Sequence, residues 1–194
     1  MSEILYKGLT VLTFSKVKEL HDWFDKNHAR TEGFWIRYFK KATGKPTIIH
    51  DQAIDEALCF GWIDGLTNKY DEDSWVVRFT PRKAKSVWSK VNVAKVAKLI
   101  EEGRMTTSGL VHVVSAKADG RWDAAYAGPA TMTLPDEFVE LLKTDEVAWD
   151  YYQSLNKANK YAVGYRLAVI VDPEKKKQKM QQLYGMLQSR KSFH

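Results

Sequence analysis

The sequence predicts an α+β protein: a small antiparallel sheet packed by helices, followed by a C-terminal helical segment. Three observations predict it. Aromatic and β-branched residues alternate with polar ones in short stretches before residue 81, the strand signature. Apolar residues recur at three- and four-residue spacing between and after those stretches, the helix signature. Beyond Pro135 only the helical pattern remains.

Taken in order, Ser15 can cap a first helix with Val17, Leu20, Trp23 and Phe24 on its inner face. Gly33 to Phe39 reads as a strand, and Gly44 with Pro46 gives the next stretch turn chemistry. Asp51 to Gly61 forms a short helix with Ile54, Ala57 and Leu58 inward and Asp55 and Glu56 outward. Trp62 to Lys69 and Ser74 to Thr80 make a hairpin, in which Trp75, Val77 and Phe79 alternate with Val76, Arg78 and Thr80. After Pro81 a helix begins near Ser86 or Ser89, turns Val93, Val96, Ala97 and Ile100 inward and stops at Gly103. Another covers Ser108 to Lys117. Gly128, Pro129 and Pro135 mark a linker, which divides residues 1–127, an α+β core domain, from 130–194, a helical extension packed on it. The extension reads as Asp136 to Lys143, Asp145 to Leu155, Lys160 to Val171, and a last helix with Asp172 as cap and Pro173 at its first position.

Composition bounds the function. The chain has 194 residues, enough to bury a core without metal or cross-links, and seven tryptophans and mixed charge argue against disorder. Cys59 is the single cysteine, so neither an intrachain disulfide nor a thiolate zinc cage can form. No apolar run approaches the roughly 18 residues that span a bilayer, and the N-terminal stretch lacks a signal-peptide pattern. The expected location is the cytoplasm.

Charge is unevenly distributed. The formal net charge is +6, yet Ser74 to Ile100 holds Arg78, Arg82, Lys83, Lys85, Lys90, Lys95 and Lys98 and no acid, which leaves the rest of the chain near balance. A local positive patch points to an anionic partner. Within it a strand hands over to a helix, whose first N–H groups and partial positive charge suit phosphate or carboxylate. Arg82, Lys83, Lys85 and Lys90 would add full charge, Ser86, Ser89 and Asn92 neutral hydrogen bonds, and Trp88 a stacking face. Arg104 and Arg121 could fold onto the same surface. The competing reading is a solvated basic turn with Ser89 as a cap and Trp88 in the core.

A second cluster is Glu56, Cys59, Trp62 and Asp64; Asp55 and Glu56 each lie one helical turn before Cys59, which sets two carboxylates near a thiol, material for acid–base or nucleophilic chemistry. No histidine adjoins Cys59 in sequence, although His50 could approach through the fold, and a lone cysteine most often packs as a small hydrophobe. Asp64 could pair with Arg82. The five histidines fall at no metal-ligand spacing, and no phosphate loop or nucleophile elbow is present, so neither a metal nor another cofactor is expected.

Ala57-Leu-Cys-Phe-Gly-Trp-Ile-Asp-Gly65, Phe79-Thr-Pro-Arg82 and Ser86-Val-Trp-Ser-Lys-Val-Asn92 resemble the YdeI/OmpD-associated family, and Glu102-Gly-Arg-Met105 and Ala116-Lys-Ala-Asp-Gly-Arg-Trp122 extend the likeness. The resemblance implies a YjbR/CyaY-like core with appended helices, and a place in bacteriocin protection or a stress response. Those names describe phenotypes, and the resemblance brings no catalytic residues with it. Where the family usually shows Ala-Lys and then Glu-Thr-Arg, this chain has Ile170-Val171 and Glu174-Lys175-Lys176, and lysine does not reproduce arginine's planar fork.

The leading expectation is therefore a non-catalytic binder of a small anionic ligand, phosphate-bearing or nucleotide-like, with nucleic acid as a further compatible partner. Two alternatives stand beside it. One is a metal-independent enzyme using Asp64 or Glu56 as general base and Arg82 to stabilise charge. The other is an interaction protein of an envelope stress response, meeting a protein partner through Trp149, Tyr151, Tyr152, Tyr161 and Tyr165.

Overall fold

The structure, a computed structural model, describes residues 4–191. Two compact units divide the chain. One comprises the residues up to Ser86 together with Ala94–Ser115; the other comprises Val87–Val93 together with the residues from Ala116 onward.

The first unit is built on a five-stranded sheet: β1 (Leu5–Tyr6), β2 (Leu9–Leu12), β3 (Phe34–Phe39), β4 (Trp62–Lys69) and β5 (Ser74–Pro81), in spatial order β1-β2-β3-β5-β4. The α+β class holds, but the sheet is mixed, because β2 runs parallel to β3. That parallel pairing corrects the expected small antiparallel sheet, and β1 and β2 join as an antiparallel hairpin. Lys7 and Gly8 both have positive φ, 49° and 78°, the conformation of a two-residue type I′ turn. The β4–β5 hairpin forms where the alternation placed it, with an irregularity between Asp64 and Thr67.

Period-two alternation gives the sheet two distinct faces. Val11, Trp35 and Val76 form a buried cluster on one, joined by Tyr6, Leu9 and Tyr70. On the other, Phe34 pairs with Phe79, Ile36 with Val77 and Tyr38 with Trp75. Helices α1 (Val17–Asn27) and α2 (His50–Cys59) supply aromatic partners there: Phe24 stacks on Phe60 at 5.6 Å and meets Phe34 and Trp62 edge-on. The start of α1 differs in detail from expectation. Ser15 donates its N–H to Glu19, which reaches back over the first turn, and Lys16 holds the cap position.

In α3 (Lys90–Glu101) the buried residues are Val96 and Leu99, while Ile100 is exposed. The helix is thus turned from its expected inner face, which lets Lys95 reach Asp51 and Asp55 of α2 at 2.8 and 2.7 Å. Helix α4 (Thr107–Ala118) starts against the end of α2: the Thr106 N–H and hydroxyl both donate to the Cys59 carbonyl, at 3.1 and 2.6 Å. Gly109 faces the same carbonyl, and a Cβ there would lie 2.3 Å from the Cys59 oxygen.

The second unit is helical: α5 (Asp136–Lys143), α6 (Glu146–Ser154), α7 (Lys157–Ala168) and α8 (Pro173–Gln188). Its core is Phe138, Leu142, Ala148, Val163, Leu167, Met180, Leu183 and Leu187. Asp145 caps α6 through the Ala148 N–H and accepts from Tyr184 and Gln188 of α8, at 2.9 and 2.8 Å. Asp172 caps α8 with Pro173 in the first turn, as the sequence indicates. Helix α7 begins three residues before its expected start, because the Asn156 side chain accepts from the Asn159 N–H.

Candidate functional site

The cationic segment is largely spoken for. Arg82, at the end of β5, is 5 % exposed, and its N–H donates to the Gly61 carbonyl at 2.9 Å. Lys83, Ala84 and Lys85 form an exposed turn, closed where the Ser86 hydroxyl accepts from the Lys83 N–H at 2.9 Å. In the second unit, Ser89 caps α3 by accepting from the Asn92 N–H at 3.1 Å, and Lys90 is exposed. Trp88 is 2 % exposed and tilted against Trp122 at 5.0 Å. This corrects the stacking role expected of it, since a sealed indole has no open face, and burial is where its large apolar area is most stabilising.

Arg104 and Arg121 are likewise engaged with carboxylates: Arg104 with Glu56 at 2.6 Å and Glu102 at 3.2 Å, Arg121 with Asp119 at 2.8 Å. The window from Ser74 to Ile100 lacks acids only along the chain. In space, Lys95 lies between two aspartates and Lys98 is 3.7 Å from Glu102.

The second cluster separates into two. Glu56, expected to face outward, is buried, and it pairs with Arg104 and with His21 Nδ1 at 2.9 Å. Cys59 is 1 % exposed; burial, and then the Glu56 charge, push its thiol up to about 12, so it carries almost no thiolate near neutrality. Asp64, for which Arg82 was the expected partner, lies 3.3 Å from His50 Nε2. Among the described residues, no group of three or more His, Cys, Asp and Glu side chains is placed to hold a metal ion.

A cavity of ligand size belongs to the second unit, and sequence reading did not single it out as a ligand site. It occupies about 640 Å³ along α7 and is lined by Pro129, Lys157, Ala158, Tyr161, Ala162, Tyr165 and Arg166. Apart from Pro129, these residues follow one stripe of the helix. An adjoining cavity of about 410 Å³ shares Pro129, Lys157 and Tyr161 and adds Met132, Leu134, Tyr152 and Lys160. Neither is lined by an acidic residue.

Tyr165 meets Tyr126 edge-on at 4.9 Å and Tyr161 at 5.9 Å, which fixes the aromatic wall. Burial, and then its neighbour Tyr165, raise the Tyr161 phenol above its ordinary value, so it stays protonated. Gly164 leaves room behind the helix for Met132, whose Cγ would stand 2.6 Å from an added Cβ. Lys160 donates to the Gln153 carbonyl at 2.8 Å and lies over the Tyr152 ring. Lys157 and Lys160 occupy the first turn of α7, where the helix dipole disfavours cations. The first turn of α8 likewise carries Lys175 and Lys176, there beside Glu174. The signal legible in sequence was Lys157, Lys160 and Arg166 interleaved with Tyr161 and Tyr165, without an acid from Asn156 to Val171.

A family model described as Domain of unknown function (DUF8412) matches residues 12–112. A second, described as Bacteriocin-protection, YdeI or OmpD-Associated, matches residues 131–190, the helical segment that carries the α7 groove. The YdeI/OmpD-associated resemblance is thus matched over residues 131–190, where the chain departs from that family's usual pattern at Ile170-Val171 and Glu174-Lys175-Lys176, and not over Trp23 to Tyr126, whose motifs lie mostly within the region matched by the domain of unknown function. No curated protein and no solved structure matches the chain. Residues 131–190 are similar to the YdeI/OmpD-associated family, and with the first match covering just over half its length, the chain belongs to the family of that domain of unknown function.

Proposed function

We propose that the protein is a cytoplasmic binding protein for a small anionic ligand with an apolar or aromatic body, held in the groove along α7. One observation carries this reading: a cavity of ligand size, about 640 Å³, combines tyrosine, proline and alanine walls with Lys157 and Arg166 and has no acid in its lining. Cations in a helix's first turn are an electrostatic cost, which an anion in the groove would offset. The name of the family matched by residues 131–190 fits a role in bacteriocin protection or stress, exercised through such a ligand.

The test uses 8-anilinonaphthalene-1-sulfonate as an anionic aromatic probe and N-phenyl-1-naphthylamine as its neutral counterpart. The sulfonate binds the wild type more tightly, and added salt weakens it without affecting the neutral probe. Ala158→Trp fills the groove and abolishes binding with an unchanged melting temperature; Lys157→Gln weakens the sulfonate about three- to tenfold. Undiminished binding by Ala158→Trp overturns the assignment. Loss of binding in Lys83→Ala with Lys85→Ala, but not in Ala158→Trp, returns the site to the strand-to-helix segment.

A further inference from the structure

The two adjoining cavities at α7 differ in kind. The one of about 640 Å³ runs past Ala158, Tyr161, Ala162 and Tyr165, and the one of about 410 Å³ adds Thr133 and Lys160 to a lining that holds Lys157. They share Pro129, Lys157 and Tyr161, so they meet toward the N-terminal end of α7. Lysines therefore gather where the helix has its own partial positive charge, and the apolar residues lead away from it. From Lys157 to Arg166 the stripe runs about 13 Å along the axis, at about 1.5 Å per residue. Ala158 and Ala162, one turn apart, keep that length clear of bulk.

The rings beside the groove make no slot for a rigid plane. Tyr161 and Tyr165 are inclined at 37°, and Tyr126 stands at 86° to Tyr165. A fused aromatic body can lie flat on only one of them, while a flexible chain can follow each in turn. At the far end Arg166 turns back to donate to the Ala162 carbonyl at 3.4 Å, which lays its methylene stem along the helix. Burial raises the phenols of Tyr152 and Tyr161 and keeps them neutral, so neither repels an anion.

Given that the α7 groove is the ligand site, we infer that it takes a free medium-chain alkyl carboxylate, the head group at Lys157 and Lys160 and the chain along Tyr161 and Tyr165 toward Arg166. Lys160 gives one ammonium proton to the Gln153 carbonyl and has others for the head group. Each methylene withdrawn from water multiplies the affinity by a near-constant factor, so the chain supplies most of the binding and the lysines set its direction.

The experiment titrates octanoate, decanoate and dodecanoate by calorimetry and by displacement of bound 8-anilinonaphthalene-1-sulfonate. Affinity rises about fourfold per added methylene, and decanoate binds at least about tenfold more tightly than 2-naphthoate, a rigid acid of similar carbon count. Lys157→Gln with Lys160→Gln weakens every acid by one common factor of about ten and leaves the gain per methylene intact, a split that a general loss of structure would not produce. Ala158→Trp removes binding and gain together. If the sulfonate occupies the groove but the acids gain nothing with length, the inference fails and the broader binding reading stands; if the sulfonate never enters the groove, both fail. Tighter binding of decanedioate than of decanoate also overturns the inference, because it would set a second head group at Arg166. Retention on phosphatidylglycerol vesicles that Ala158→Trp abolishes overturns it as well, by making the source a lipid surface.

Discussion

Cys59 illustrates how far a residue's chemistry is set by its surroundings. The thiol is sealed at the end of α2, beside a buried carboxylate, and both effects favour its protonated form. Aromatic disulfide reagents at pH 8 are expected to modify the native protein at least about a hundredfold more slowly than free cysteine, with full reactivity on unfolding in urea. A rate close to that of free cysteine would show the thiol to be open. Sequence already favoured the core reading of Cys59, since no histidine or cation adjoins it along the chain. Trp88 and Asp64 were harder to place: a tryptophan in a basic segment suits a stacking face as well as a core. The partner of Asp64 lies on a helix 14 positions earlier, a separation that local pattern does not bridge.

At the scale of elements, the joint between α2 and α4 has the least slack. Thr106 satisfies the Cys59 carbonyl that ends α2, and Gly109 admits that carbonyl into the first turn of α4. Gly109→Ala is expected to destabilise the protein by about 2 kcal/mol, read as a lower urea midpoint with an unchanged slope. An unaltered midpoint would mean that the helices can move apart freely. Strand β3 was legible from its aromatic and β-branched run, and β4 and β5 from the polar link between them and the alternation along β5. Strands β1 and β2, of two and four residues, were too short to show it, although Lys7-Gly8 between apolar runs is a hairpin cue. Helix α7 was recognised but not its first turn, where the cap, Asn156, lies among polar residues that resemble a loop.

For the molecule as a whole, charge and acidity set the stability profile. Asp145 is held below its ordinary value by the Ala148 N–H first, then by Tyr184; Asp71 is held down by Ser74, and Glu19 by Ser15. A depressed carboxylate contributes fully above its unfolded value and loses that contribution as pH falls through the folded one. Acidification also raises a net charge that is already +6. The melting temperature should therefore fall steadily as pH drops below the usual carboxylate range. Asp145→Asn should flatten that decline, and an equally steep acid limb in the variant would exclude Asp145 as a contributor. The fold class was readable from the order of patterns, because each element carries its own period. The binding groove was not, because its lining combines Pro129 with a helix that begins 28 positions later.

The gap at Gly164 has a consequence for how the chain tolerates change in length. Behind α7 that glycine opens one notch, and the Met132 side chain is seated in it. A stretch anchored by such a peg cannot creep along the helix by a residue, since its neighbours Thr131 and Thr133 have a different shape. Added residues between Gly128 and Met132 would have to bulge into solvent, while the segment from Met132 to Pro135 keeps its register against the helix.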